Sequence, residues 1–85
     1  MTAAAPEWRV VIYRTVGRDI QRVAGTPTDR ATAVKFAAGA HLAAGERADV
    51  ERFVKGHWTL VARRAAGAAG LHSLSVDFEV ANAPR

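Results

Sequence analysis

Cysteine is absent from the 85 residues, so no disulfide framework and no thiolate zinc site can form, and the chain suits a reducing compartment. No apolar run approaches the roughly 18 residues of a membrane span. The opening stretch MTAAAPEWR has neither the basic nor the apolar segment of an export signal, so a cytoplasmic location without a membrane partner is expected. The glycines from Gly67 to Gly70 are not followed by Lys and then Ser or Thr, which excludes a phosphate loop there. Ser73, Ser75 and the threonines lack the strand-turn-helix setting of a nucleophile elbow. His41, His57 and His72 match no local ligand spacing; His41 reads as a partly buried core histidine, and neither a metal nor another cofactor is expected. With none of these constellations present, the sequence points to a protein that is not an enzyme.

Large apolar side chains are also scarce, because much of the apolar content is alanine. The core candidates are Trp8, Val10, Ile12, Ile20, Val34, Leu42, Val50, Trp58, Leu60 and the alternating apolar residues near the C-terminus. A chain of this length buries only about 60 to 65% of the surface its unfolded form exposes, so a thin core raises the expectation of a homodimer. Net charge is +4, and ten of the twelve basic residues are arginine. That excess would draw an anionic partner such as nucleic acid, although Asp and Glu are interspersed as on any mixed-charge surface.

Local order follows from periodicity. Arg14, Arg18 and Arg22 would form one stripe on a helix, but the run from Val10 to Val16 is β-branched and aromatic and favours strand. Gly17 then predicts a hairpin: a turn centred on Thr15 and Val16 with Gly17 in a bulge sets Arg14 opposite Arg18, Ile12 opposite Ile20 and Val10 opposite Arg22. In that register Trp8, Val10, Ile12, Ile20 and Ala24 share the core face, with Arg22 among them. Thr26 as N-cap, Pro27 at the first position and Asp29 at the third begin an alanine-rich helix that Gly45 ends. Its apolar stripe is Val34, Ala37, Ala38, His41 and Leu42; Phe36 lies elsewhere and serves as a second core edge or as an interface. Gly56 breaks the segment from Arg47 to Ala65 into a second hairpin, with its turn at Val54 and Lys55 and with Val50, Trp58, Leu60 and Ala62 on the core face. The tips RTVGR and FVKGH are similar. LHSLSVDFEVA alternates cleanly and forms the last strand, with Leu74, Val76, Phe78 and Val80 on one side. Paired carboxylates such as Asp49 with Glu51 and Asp77 with Glu79 read as wet faces.

The expected fold is α+β, in the order ββαβββ: a small, mainly antiparallel sheet with one Ala-rich helix on one face. A single domain spans residues 7–81, between disordered tails at 1–6 and 82–85. In layout, a hairpin followed by a helix resembles the small arm-type DNA-binding domains of tyrosine recombinases, and sheet-plus-helix RNA-binding modules are similar at the same level. The recombinase domains have three strands before their helix where this chain has two, so no residue role is carried over.

Two functional readings result, both non-enzymatic. In one, Arg14, Arg18, Arg22 and Lys55 neutralise phosphates from the hairpin tips, while Tyr13 and Arg9 on the outward face touch or stack on bases. In the other, the chain is a protein-interaction or assembly module, a homodimer joined through Val76 and Phe78 of the last strand or through Phe36 of the helix.

Overall fold

In the computed structural model, described here for residues 7–74, two hairpins lie side by side and a helix crosses one face of the sheet they make. The elements are β1 (Trp8–Val16), β2 (Asp19–Thr28), α1 (Arg30–Gly39), β3 (Glu46–Val54), β4 (His57–Ala65) and β5 (His72–Ser73). Among the described residues the sheet has five strands in the order β2-β1-β3-β4-β5, and every pairing is antiparallel. The expected α+β order is therefore present. The last strand begins by pairing with β4 of its own chain, and the Leu74 N–H continues the ladder to the Val61 carbonyl at 2.9 Å. Its remaining residues, the Asp77–Glu79 pair and both tails lie outside the described residues.

Gly17 does reverse the chain, but by a two-residue turn. Val16 pairs with Asp19 across Gly17 and Arg18, and Gly17 has φ +63°, the first-position glycine of a type II′ turn. Lys55 and Gly56 both have positive φ, +52° and +89°, which is the type I′ pattern between Val54 and His57. Each turn is followed by four cross-strand pairs and then a bulge, where the return strand carries one extra residue: Val23 in β2 and Val61 in β4.

The hairpins thus repeat one another beyond their tips, with Val23-Ala24 matching Val61-Ala62. The central pairing of β1 with β3 relates them by an approximate two-fold axis through the Val11–Asp49 pair. Under it Tyr13 corresponds to Glu51, Ile12 to Val50 and Arg47 to Arg9.

Turn and bulge together revise the expected faces. Arg14 lies opposite Gln21 rather than Arg18, and Tyr13 opposite Arg22. The register has moved by three residues, and any odd shift carries side chains to the other face, so Arg22 leaves the core side and Ile20 is 58% exposed. The bulge restores the original parity beyond it, where Ala24 pairs with Ile12. The second hairpin shows the same inversion: Trp58 and Leu60 pair with Phe53 and Glu51 on the face away from the helix, while Val61 and Ala62 enter the core.

The core lies between α1 and the sheet. Val10, Val50, Ala48, Val61 and Ala62 meet Ala33 and Ala37, with Trp8, Ile12, Val34, Leu42 and Leu71 packed around them. Alanine at both helix positions lets the backbone approach the strands closely. The helix is shorter than expected at both ends. Strand pairing continues through Pro27 and Thr28, so the N-cap is Asp29, whose Oδ1 accepts the Thr32 N–H at 2.7 Å. At the other end Gly45 is not the cap: α1 ends at Gly39, and the Arg64 guanidinium, almost fully buried, donates Nε–H to the Ala37 carbonyl at 2.7 Å and Nη2–H to that of Ala40. His41, Ala38 and Phe36 are exposed, so neither the core histidine nor a core edge at Phe36 forms.

Candidate nucleic-acid interface

The sheet face turned away from α1 carries the side chains that alternate with the core. Strand registers arrange them in rows, starting from the end of the first hairpin: Arg22, Tyr13 and Arg47; then Gly25, Val11, Asp49, Arg63 and His72; then Pro27, Arg9, Glu51 and Leu60; and last Phe53 with Trp58. This outer face is closely packed. Val11 is fully buried at its centre, and Asp49 and Glu51, expected to be wet, are 2% and 9% exposed.

Such carboxylates require partners, since a desolvated lone charge is costly. Arg63 grips Asp49 with two bonds, Nε to Oδ1 at 2.8 Å and Nη2 to Oδ2 at 3.1 Å, and Arg47 Nε approaches Oδ2 at 3.4 Å. The hydrogen bond that Arg63 donates to Asp49 holds its guanidinium above its ordinary pKa. Arg9 Nε donates to Glu51 Oε1 at 2.6 Å. No buried side-chain polar atom lacks a partner among the described residues.

Aromatic rings complete the surface. The Arg9 guanidinium lies over Trp58, 4.4 Å from the ring centre, and Arg47 lies over Tyr13 at 5.0 Å. Phe53 meets Trp58 edge-on at 5.2 Å. Arg22 shares the row of Tyr13, and its guanidinium lies over Gly25, where a Cβ would come within 2.5 Å of Nη2.

Of the sequence-derived candidates, Arg14, Arg18, Arg22 and Tyr13 gather at the end of the first hairpin, joined there by Arg47. Arg14 and Arg18 do not oppose one another, so the expected facing pair of arginines does not form; Arg18 occupies the turn and Arg14 pairs with Gln21 on one side and Glu46 on the other. Arg9 lies midway along the outer face. Lys55 is at the opposite end of the sheet, about 35 Å from Arg18 by strand rise, because antiparallel pairing of β1 with β3 points the two tips in opposite directions. Phe36 stands 54% exposed on α1, and Val76 and Phe78 lie outside the described residues.

Sequence reasoning missed Arg47, Arg63, Asp49 and Glu51 as one lattice. The alternation in ERADVER was the available signal: Arg47, Asp49 and Glu51, three charged residues at alternate positions on a strand, share a face. Among the described residues no three His, Asp or Glu side chains come together to hold a metal ion, and no helix is long and apolar enough to cross a membrane. Comparison of the chain with protein-family models, curated proteins and solved structures gives no match.

Proposed function

We propose that this chain is a small non-enzymatic nucleic-acid-binding protein that contacts its ligand through the first hairpin and the adjoining outer sheet face. The observation that carries the reading is the row Arg22–Tyr13–Arg47, with Arg18 in the adjoining turn and Arg14 at the same end of the sheet on its other face. Five cationic and stacking groups gathered at one end of the sheet match what a sugar-phosphate chain requires, with Asp19, Glu46 and Asp49 as the acids nearby. Lys55 takes no part in a contact of that size.

Four arginines neutralising four phosphates of a single strand correspond to a slope of about −3 in log affinity against log salt. Titrating a labelled oligonucleotide at several salt concentrations measures it. The combined change Arg14→Ala, Arg18→Ala and Arg22→Ala should flatten the slope to about −1, whereas Lys55→Ala should leave it unchanged. Affinity that is flat in salt for the unaltered protein refutes the reading.

A second reading, self-association through α1, is favoured by one observation. Phe36 is exposed beside a cleft of about 90 Å³ lined by Val10, Thr28 and Thr32. The β2 edge is a poor alternative for a second copy, because Pro27 and the bulge at Val23 interrupt strand addition. Sedimentation in dilute solution tests it: a dimer that dissociates on Phe36→Ser supports assembly, and a monomer excludes it.

A further inference from the structure

The outer face fixes two arginines in a similar way, although with partners that the two-fold relation does not interchange, since it matches Glu51 to Tyr13 and Trp58 to Ile20. Arg9 and Arg47 occupy equivalent positions under the two-fold relation of the hairpins. Each guanidinium lies over an aromatic ring, Arg9 on Trp58 and Arg47 on Tyr13, and each directs Nε toward a sunken carboxylate, Glu51 or Asp49. Their own exposure is small: the side chains of Arg9 and Arg47 are 20% and 25% accessible, those of Glu51 and Asp49 12% and 3%.

A guanidinium fixed in this way is a plane. The ring supports one side and the carboxylate takes the Nε edge, so the rotamer freedom that an exposed arginine gives up on binding is already spent. What such a plane recognises is the flat face of an unpaired base, which stacks on arginine as it does on aromatic rings. A duplex closes its base faces to the surroundings and presents phosphates from a convex surface, to which recessed groups are ill suited. Strand rise and spacing put the two platforms about 14 Å apart on the outer face. Arg22 and Arg63 lie beside this line and supply charge for the backbone between the two stacked bases.

From this geometry, and resting on the nucleic-acid reading above, we infer that the ligand is single-stranded, with bases stacked on the Arg9 and Arg47 planes and with Glu51 and Asp49 as positioning residues. The carboxylates then have a role opposite to their charge. They repel a polyanion by Coulomb's law, yet the arginines they hold flat bind it better than free ones would.

That opposition gives the experiment. Fluorescence anisotropy compares an oligothymidylate of about twelve nucleotides with a blunt duplex of the same length, at one salt concentration, for the unaltered protein, Arg9→Lys and Glu51→Gln. The single strand should bind about tenfold more tightly than the duplex, the value of one or two stacked bases. Arg9→Lys keeps the charge and loses the plane, so it should lower single-strand affinity about fivefold and leave the duplex unchanged. Glu51→Gln adds one positive charge and should nonetheless weaken the single strand while strengthening the duplex.

Duplex binding equal to or tighter than single-strand binding, with the salt slope intact, overturns this inference and leaves the nucleic-acid reading standing. Binding of neither probe removes both. A rise in single-strand affinity on Glu51→Gln overturns the positioning role, and if that variant melts below the assay temperature, unchanged affinity in Arg9→Lys overturns it instead.

Discussion

Arg64 offers the sharpest test of how this small fold holds together. It is an arginine on the core face of β4, 9% exposed, and no carboxylate pairs with it among the described residues. Its charge is met instead by the negative end of α1, through bonds to the Ala37 and Ala40 carbonyls. Replacing it by Met keeps most of the apolar stem and removes both bonds. A hydrogen bond involving a charged group is worth about 1.5 to 3 kcal/mol, and since the two share one guanidinium and end near solvent, about 2 kcal/mol is expected for the pair. Arg64→Ala also removes the buried stem at about 0.8 kcal/mol per methylene, which brings the loss to about 4 kcal/mol. For a domain this small total stability is about 4 to 13 kcal/mol, so the Ala variant approaches the unfolding threshold. Thermal melts followed by far-UV circular dichroism should show Arg64→Met lowered by about 8 to 16 °C and Arg64→Ala by more. Stability of Arg64→Met within about 0.5 kcal/mol of the unaltered protein, by urea titration, would refute the capping role.

Two further outcomes concern the helix start and the far hairpin. Asp29 has its carboxyl pKa held below 3.8, chiefly by the hydrogen bond from the Thr32 backbone, so its contribution is complete above that value and is lost as pH falls through the lowered one. The gap in melting temperature between the unaltered protein and Asp29→Ala should therefore be full at neutral pH and close on acidification; a gap independent of pH contradicts the assignment. Lys55 sits at φ +52° in a type I′ turn, so Lys55→Asn should stabilise by about 0.5 to 1 kcal/mol in urea titrations. The same variant should bind nucleic acid as the unaltered protein does, and a loss of affinity would count against an interface at the opposite end of the sheet.

The α+β layout was readable because its signals are local. β-branched runs, glycines at the two reversals and an alanine-rich segment after Thr28 each act within a few residues. What could not be read from pattern alone is which face each side chain takes near the tips. A two-residue turn and a three-residue turn differ by one residue, and one residue inverts a strand. Gly17 is compatible with both turns, and so is Gly56. The inversion is undone by bulges at Val23 and Val61, which have no distinctive residue type: a valine between polar and small neighbours looks like any strand position. Parity alone puts Ile20, Trp58 and Leu60 in the core, yet they lie outside it, while Val11, which parity puts on the outward face, is fully buried. Arg64 was equally illegible, because its partners are backbone carbonyls whose position depends on where the helix ends.

The bulges also account for the charge map. The turn sets Arg22 beside Tyr13 on the outer side, and the bulge in β2 then returns Gly25 and Pro27 to that same face, opposite Val11 and Arg9. Without the one in β4, Leu60 and Ala62 would continue one face together, and Arg63 and Arg64 would exchange sides, leaving Asp49 without its bidentate partner and α1 without its cap. Two adjacent arginines that point to opposite faces of one strand thus do separate tasks, one closing the helix and the other neutralising the sunken carboxylate. The bulge ahead of them in β4, by absorbing one extra residue, fixes which does which. Deleting Val61 removes that extra residue and leaves Ala62 and Arg64 on the core side and Arg63 on the outer side. Both arginines should then keep their partners, and the loss should be confined to the apolar contact Val61 makes in the core. Inserting one further residue there should instead exchange the two arginines and break both sets of bonds.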